Sequence, residues 1–333
     1  MIVVNKTELQ ATICAICGVE GNATELYPAN FSMDALTPAV FSARRLPDRI
    51  HYRMVRCNNC GLVRSDPIVP PDILSQLYSK STFEYDEEVG NLKLCYGRYL
   101  DNLAQYNVKK DALLEIGCGN GFFLDEAVKK GYINVSGVEP SLDAVDRANP
   151  QIRPMIVCNI MQPGLFNSEQ FDVICMFQVL DHIPNPKKLM DECFRVVKSG
   201  GLVLCINHNV EAISARILGE RSPIIDIEHT YLYSPKTLSR LFSRSGFNIL
   251  SIGHALNVYS PHYIARLFPF PKIIKESVLK ILKTGWIRNL RMTAPLGNIC
   301  LVAQKPCTAR MNVQNSSKQY DLEAKSLNQT LLC

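Results

Sequence analysis

The chain has 333 residues, 47% of them hydrophobic and 20% charged, with a formal net charge of +5. Such a length carries one large domain beside a small one, and the balance excludes fibrous and disordered classes. The mild charge admits anionic ligands without demanding nucleic acid, and no apolar run approaches the ~18 residues of a membrane span.

The N-terminus, Met1-Ile2-Val3-Val4-Asn5-Lys6-Thr7-Glu8, has no long apolar core after a basic start, so no secretory signal is expected. Thirteen cysteines are present, an odd number. Several stand singly in apolar strand-like segments (Cys158, Cys175, Cys205, Cys300), where they serve as small hydrophobes. Reduced thiols in a cytoplasmic setting are expected rather than a disulfide framework.

Four cysteines are different. Cys14-Ala15-Ile16-Cys17-Gly18 and Cys57-Asn58-Asn59-Cys60-Gly61 are near-copies. Two such hooks present four thiolates on tight turns and suit tetrahedral zinc. A four-cysteine site leaves no coordination position open, so the expected role of zinc is structural. Residues 1–70 are assigned to this zinc-binding module.

Prolines at 67, 70 and 71 punctuate the chain, and residues 71–110 follow as a helical linker or lid. Ile73, Leu74, Leu77 and Tyr78 share one helical face; Leu92, Tyr96, Tyr99, Leu100 and Leu103 share another. Tyr85, between them, is a candidate to close over a substrate. Strands are predicted at 112–116, 133–139, 154–158, 171–177, 200–206, 247–252 and 298–304. Helices are predicted between them, including 186–198 with its Leu189, Cys193 and Val196 stripe, and 235–245, which starts at Ser234-Pro235 and closes at Gly246. This alternation predicts an α/β fold: a doubly wound, mostly parallel, seven-stranded Rossmann-like sheet over 111–306, with an insert at 253–297. Residues 307–333 show little periodicity and are expected to be a loose tail.

The most informative stretch is Leu113-Leu114-Glu115-Ile116-Gly117-Cys118-Gly119-Asn120-Gly121-Phe122. It reads as strand, tight turn and helix, with glycines that let backbone approach a ligand. A pyrophosphate loop is spaced G-x-G-x-x-G. Here the spacing is Glu-x-Gly-x-Gly-x-Gly, and the acid inside the strand suits a cationic or hydroxyl-bearing ligand.

This loop resembles that of class I S-adenosylmethionine methyltransferases. Three further segments match the same family in order. Val135-Ser136-Gly137-Val138-Glu139 ends a strand in an acid, the family's ribose-binding position. Val157-Cys158-Asn159-Ile160 ends the next strand with Asn159, where the family usually has Asp against the adenine amino group. Phe171 to Pro186 is similar to its fourth-strand motif, which passes under the cofactor and brings Gln178 and His182 toward the transferring methyl. The resemblance spans residues 90–252 and implies a cofactor set of Glu115, Gly117, Gly119, Gly121, Glu139, Asn159 and Gln178.

The zinc hooks, followed by Gly61-Leu62-Val63-Arg64 and Pro67, resemble a bacterial subgroup that includes sugar C-methyltransferases and polysaccharide or natural-product methyltransferases. In the former a Glu-His pair precedes a Tyr and a Ser-Pro helix start, as Glu228-His229 precedes Tyr231 and Ser234-Pro235 here. The resemblance implies catalytic roles for His229, Glu228 and His182. Methyl transfer is an in-line displacement that needs alignment and a deprotonated acceptor. His229 backed by Glu228 suits the base; His182 suits an oxyanion stabiliser or the base itself. The implied acceptor is a small molecule, a sugar nucleotide or glycan precursor.

Two other classes are open. Arg44, Arg45, Arg49, Arg53, Arg56 and Arg64 lace the zinc module, as in an RNA-modifying or RNA-binding protein. A non-catalytic S-adenosylmethionine-binding scaffold would share the glycine loop. Residues 272–291, basic with an apolar stripe, suit either packing on the protein or contact with an anionic membrane surface.

Overall fold

A computed structural model describes residues 9–42, 48–82, 89–268, 272–282 and 290–307. Tyr85, Arg44, Arg45, residues 283–289 of the basic stretch and the tail from 308 lie outside the described residues.

The N-terminal part builds β1 (Ala23–Tyr27), β2 (Met54–Cys57) and β3 (Val63–Ser65), followed by α1 (Pro71–Ser79) and α2 (Val89–Asn102). Then strands and helices alternate. They are β4 (Ala112–Ile116), α3 (Phe122–Lys129), β5 (Asn134–Val138), α4 (Leu142–Asp146), β6 (Ile156–Val157), β7 (Phe171–Phe177), α5 (Pro186–Val196) and β8 (Val197–His208). A loop carrying α6 (Ile213–Leu218) leads to the two-residue strand β9 (Tyr231–Leu232), then α7 (Pro235–Arg244) and β10 (Asn248–His254). The insert holds β11 (Asn257–Tyr259), α8 (Pro261–Leu267), α9 (Lys272–Leu282) and β12 (Met292–Ala294) before β13 (Asn298–Gln304).

The central sheet runs β10-β13-β8-β7-β4-β5-β6. Neighbours from β8 through β6 are parallel, and β13 alone runs antiparallel to both of its partners. The expected doubly wound, mostly parallel seven-stranded sheet is thus present. β7 is buried at every residue because helices cover both faces, which is why it reads as an unbroken apolar run. The chain winds outward from β4 through β5 to β6, and in the other direction from β7 to β8. The strand order therefore reverses between β4 and β7, and a crevice opens at their carboxyl ends.

Several elements depart from expectation. The helix predicted over 186–198 stops at Val196, and Val197 pairs with Phe171 as the first residue of β8. β6 is only two residues long, inside the predicted 154–158. β9 was not expected. It adds to β3 as the fourth strand of the N-terminal sheet, ordered β1-β2-β3-β9. A segment following Glu228-His229 is thereby sewn onto the cysteine-bearing module.

Candidate active site

The glycine loop closes against its neighbouring strand. Gly117 and Cys118 donate their N–H groups to the Val138 carbonyl at 2.8 and 3.2 Å. Gly117 and Gly119 have φ of 70° and 53°, a region costly for residues with a Cβ. At Gly117 a Cβ would also overlap Val179, and at Gly121 it would lie 2.6 Å from Ile152 Cγ2. The bare backbone is thus required by both conformation and space.

Glu139, just past β5, accepts from Gly119 N–H and Ser141 N–H, each at 2.9 Å. Burial raises its pKa above the usual carboxylate value, and the two amides pull it back. With one amide on each oxygen, the carboxylate is locked in place and keeps lone pairs for further donors. Glu115, 2% exposed, sits at the end of β4 in the same cavity wall.

The cavity has a volume of about 1050 Å³. Single-ligand sites run to roughly 1,000 Å³, so a nucleoside and a second molecule fit together. Of the residues expected to bind a cofactor, Glu115, Gly117, Gly119, Glu139, Asn159 and Gln178 line it, while Gly121 stands behind the loop at the start of α3. Gln178 carries a φ of 56°, an uncommon conformation for a residue with a side chain, held by its N–H donating to the Ile206 carbonyl at 2.6 Å. Tyr96 on α2 stacks on Phe177 with ring centroids 4.0 Å apart and closes the floor.

A histidine cluster also lines the cavity. His182 follows β7, His208 ends β8 and His229 precedes β9. The ring of His229 lies 4.8 Å from that of His182 and 5.0 Å from that of His208. Asp181, fully buried, presents its carboxylate to both outer rings, 3.7 Å from His182 Nε2 and 3.8 Å from His208 Nε2. Each ring is fixed through Nδ1. Tyr78 Oη lies 3.0 Å from Nδ1 of His182, the Ile224 carbonyl 2.9 Å from that of His229, and Asn298 Oδ1 3.1 Å from that of His208. Burial lowers the His182 pKa to about 3, against the pull of Asp181, so its imidazole is neutral. Burial works against the Asp181 charge, yet the three histidines hold its pKa below the usual carboxylate value.

Glu228 also lines the cavity, and Nδ1 of His229 meets the Ile224 carbonyl. Asp181, His208 and Tyr78 were not singled out from the sequence. Their signal is tertiary, since residues far apart in the chain meet only once the sheet is wound.

The four hook cysteines also converge. Cys14 Sγ and Cys60 Sγ are 3.5 Å apart, Cys57 Sγ and Cys17 Sγ 4.0 Å. A disulfide would need ~2.05 Å, whereas four Zn–S bonds of about 2.3 Å put tetrahedral sulfurs about 3.8 Å apart. The set therefore fits a tetrahedral metal ion. Burial opposes the Cys57 thiolate, but the backbone amides of Cys60 and Asn59 aimed at its sulfur bring its pKa down to about 7. Among the arginines of this module, Arg53 pairs with Asp66 at 3.1 Å, and Arg64 is fully buried and so offers no open phosphate contact.

A family model described as a methyltransferase domain matches residues 89–252. The ubiquinone biosynthesis O-methyltransferase of Coxiella burnetii is 26% identical over 160 residues, covering 44% of this chain and 68% of the relative. That of Glaesserella parasuis is 30% identical over 134 residues, covering 35% and 56%. Among solved structures, geranyl diphosphate C-methyltransferase from Streptomyces coelicolor A3(2) aligns with a TM-score of 0.45 at 16% identity, covering 65% of this chain and 80% of that one. The matched residues hold the glycine loop, both acids and the switch-point crevice, and the whole sheet carries its single reversed strand next to one edge. Residues 89–252 form a methyltransferase domain of the class I S-adenosylmethionine-dependent type.

Proposed function

We propose that this enzyme methylates a small molecule, with a nucleotide-linked sugar or a glycan or natural-product precursor as the acceptor class. The observation that carries the reading is a cavity whose wall holds Glu115, Gly119 and Glu139 together with His182, His208 and His229. When bound, S-adenosylmethionine supplies an electrophilic methyl on a sulfonium. Glu139 is assigned to its ribose hydroxyls, Glu115 to its cationic amino-acid portion, Asn159 to the adenine edge, and the loop from Gly117 to Gly121 to close backbone contact. Gln178 lines the same cavity.

On the acceptor, His229, His182 and Glu228 act on the group to be methylated. An oxygen acceptor must lose a hydroxyl proton, and a carbon acceptor a proton beside a carbonyl. A neutral imidazole with its Nδ1 tethered offers Nε2 for that work. The relatives named for O-methylation make an oxygen acceptor the nearest parallel. The hook cysteines are assigned to structural zinc, and the twelve described cysteines, none of them in a disulfide, fit a reducing, cytoplasmic setting.

The test is a defined panel: keto-deoxy-sugar nucleotides, simple sugar nucleotides, phenolic precursors and short RNA, each with methyl-labelled cofactor. Label in a small molecule is expected, with His229→Ala losing turnover at least a hundredfold while cofactor affinity stays within about twofold. Label in RNA alone overturns the acceptor class. Collapse of cofactor affinity in His229→Ala would make that residue structural.

A further inference from the structure

The histidine cluster contains more than a proton acceptor requires. Asp181, His182 and His229 each bring one potential ligand atom to within 4.8 Å of the others. The carboxylate is not hydrogen-bonded to either neighbouring imidazole, since 3.7 and 3.8 Å exceed a hydrogen bond. Its Oδ2 has no hydrogen-bond partner among the described residues, in a side chain that is 1% exposed. A buried carboxylate with one oxygen unpartnered is costly unless a positive charge joins it. Metal bonds of about 2.0–2.2 Å place adjacent ligand atoms roughly 3–4 Å apart, and the 3.7 Å from Asp181 Oδ1 to His182 Nε2 falls in that range.

The outer contacts point the same way. A histidine that ligates metal through one nitrogen usually donates the other N–H to an oxygen, which fixes its tautomer. His229 meets the Ile224 carbonyl at 2.9 Å and His182 the Tyr78 hydroxyl at 3.0 Å, both through Nδ1. In each ring Nε2 is thereby turned into the cluster. The Asp181 backbone is held as well, its carbonyl accepting from Thr230 N–H at 2.8 Å.

We infer that Asp181, His182 and His229 form a binding site for a divalent cation in the part of the cavity assigned to the acceptor. Two imidazoles and one carboxylate form a ligand set of intermediate softness with coordination positions left over. Those positions face the cavity that His182 and His229 line. The ligand they would take is an oxygen of the acceptor, either a hydroxyl or the carbonyl oxygen next to an acidic C–H. On the cation a hydroxyl becomes more acidic; its O–H bond breaks, the proton goes to His208 on the same cavity wall, and the electron pair stays on oxygen. His182 and His229 then act on the acceptor through the ion. This rests on the assignment of that part of the cavity to the acceptor.

The test is titration of the full-length protein, its cysteine site loaded with zinc, with Mn²⁺ followed by electron paramagnetic resonance. Manganese prefers oxygen and nitrogen donors and leaves thiolate sites to zinc. One Mn²⁺ per chain is expected, with affinity at least tenfold weaker in Asp181→Asn and in His229→Gln, while melting temperature and cofactor affinity stay near wild type. Absence of Mn²⁺ binding, or binding unaltered in both variants, overturns the site. Turnover that persists with zinc in the hooks and no second cation also removes it, and leaves the methyltransferase reading standing. Mn²⁺ binding as expected, with no acceptor in the panel methylated, supports the site and sinks the acceptor reading instead.

Discussion

Glu139 shows how one carboxylate is made ready for a ligand. Two backbone amides at 2.9 Å hold it, so it need not reorganise on binding. Glu139→Ala should weaken cofactor binding roughly ten- to a hundredfold, the worth of hydrogen bonds to a charged group, with the melting temperature little changed. Calorimetric titration reads this directly, and unaltered affinity would remove Glu139 from the cofactor site. His182 gives a pH signature. Its pKa is about 3 in the folded protein against about 6.5 in an unfolded chain, so acidification below 6.5 protonates the unfolded state first. Stability is therefore fully present above pH 6.5 and falls by up to about 1.4 kcal/mol per pH unit as the pH drops toward 3. His182→Gln should flatten that slope in denaturant titrations between pH 6.5 and 5; an unaltered slope would show that His182 is not buried neutral. The loop glycines and both acids were legible in the sequence because their spacing is local. Asp181 was in view without a role, because its meaning depends on His208 and His229 arriving from other parts of the chain.

Elements divide along the same line. The helix start at Ser234-Pro235 was readable because its signals are adjacent residues: Ser234 and Thr237 form a reciprocal capping box with Pro at the first helical position. The central strands were readable because apolar runs report burial on both faces. β9 was not, since two residues carry no period and its pairing partner β3 lies far back in the chain. That pairing has a consequence for the cysteine module. Ser65, the last residue of β3, donates its hydroxyl to the His229 carbonyl at 2.7 Å, its N–H donates to the Thr230 carbonyl at 2.9 Å, and Tyr231 Oη donates to the Ile13 carbonyl at 2.7 Å. The hooks therefore hold the strands that hold His229. Removing zinc, or making Cys57→Ser with Cys60→Ser, should lower the melting temperature by several degrees and raise amide hydrogen exchange over residues 228–232. Exchange in the glycine loop at 117–121 should stay at its original rate, and cofactor binding should persist. Faster exchange across the whole sheet would instead make the module a general fold requirement.

At the scale of the whole molecule, the strand order decides where chemistry can occur. Reversal between β4 and β7 collects the ends of β4, β5, β6 and β7 around one crevice, and the end of β8 and the segment before β9 bring His208 and His229 to the same cavity. The fold class followed from the alternation of strands and helices. The reach of the N-terminal sheet into the loop after β8 did not, because it is a contact between distant segments with no local pattern. No helix among the described residues is long and apolar enough to cross a membrane. Of the basic stretch at 272–291, the described α9 leaves Ile274 and Ile281 exposed at 51% and 60%. That cofactor and acceptor meet in this one cavity is the central claim, and one measurement tests it most directly. The full-length protein, zinc-loaded, is incubated with methyl-labelled S-adenosylmethionine and fractionated cell extract, and both S-adenosylhomocysteine and the labelled fraction are quantified. Equal amounts of S-adenosylhomocysteine and label in the small-molecule fraction are the expected result. Tight cofactor binding with no S-adenosylhomocysteine formed in any fraction, or label confined to RNA or protein, would contradict it.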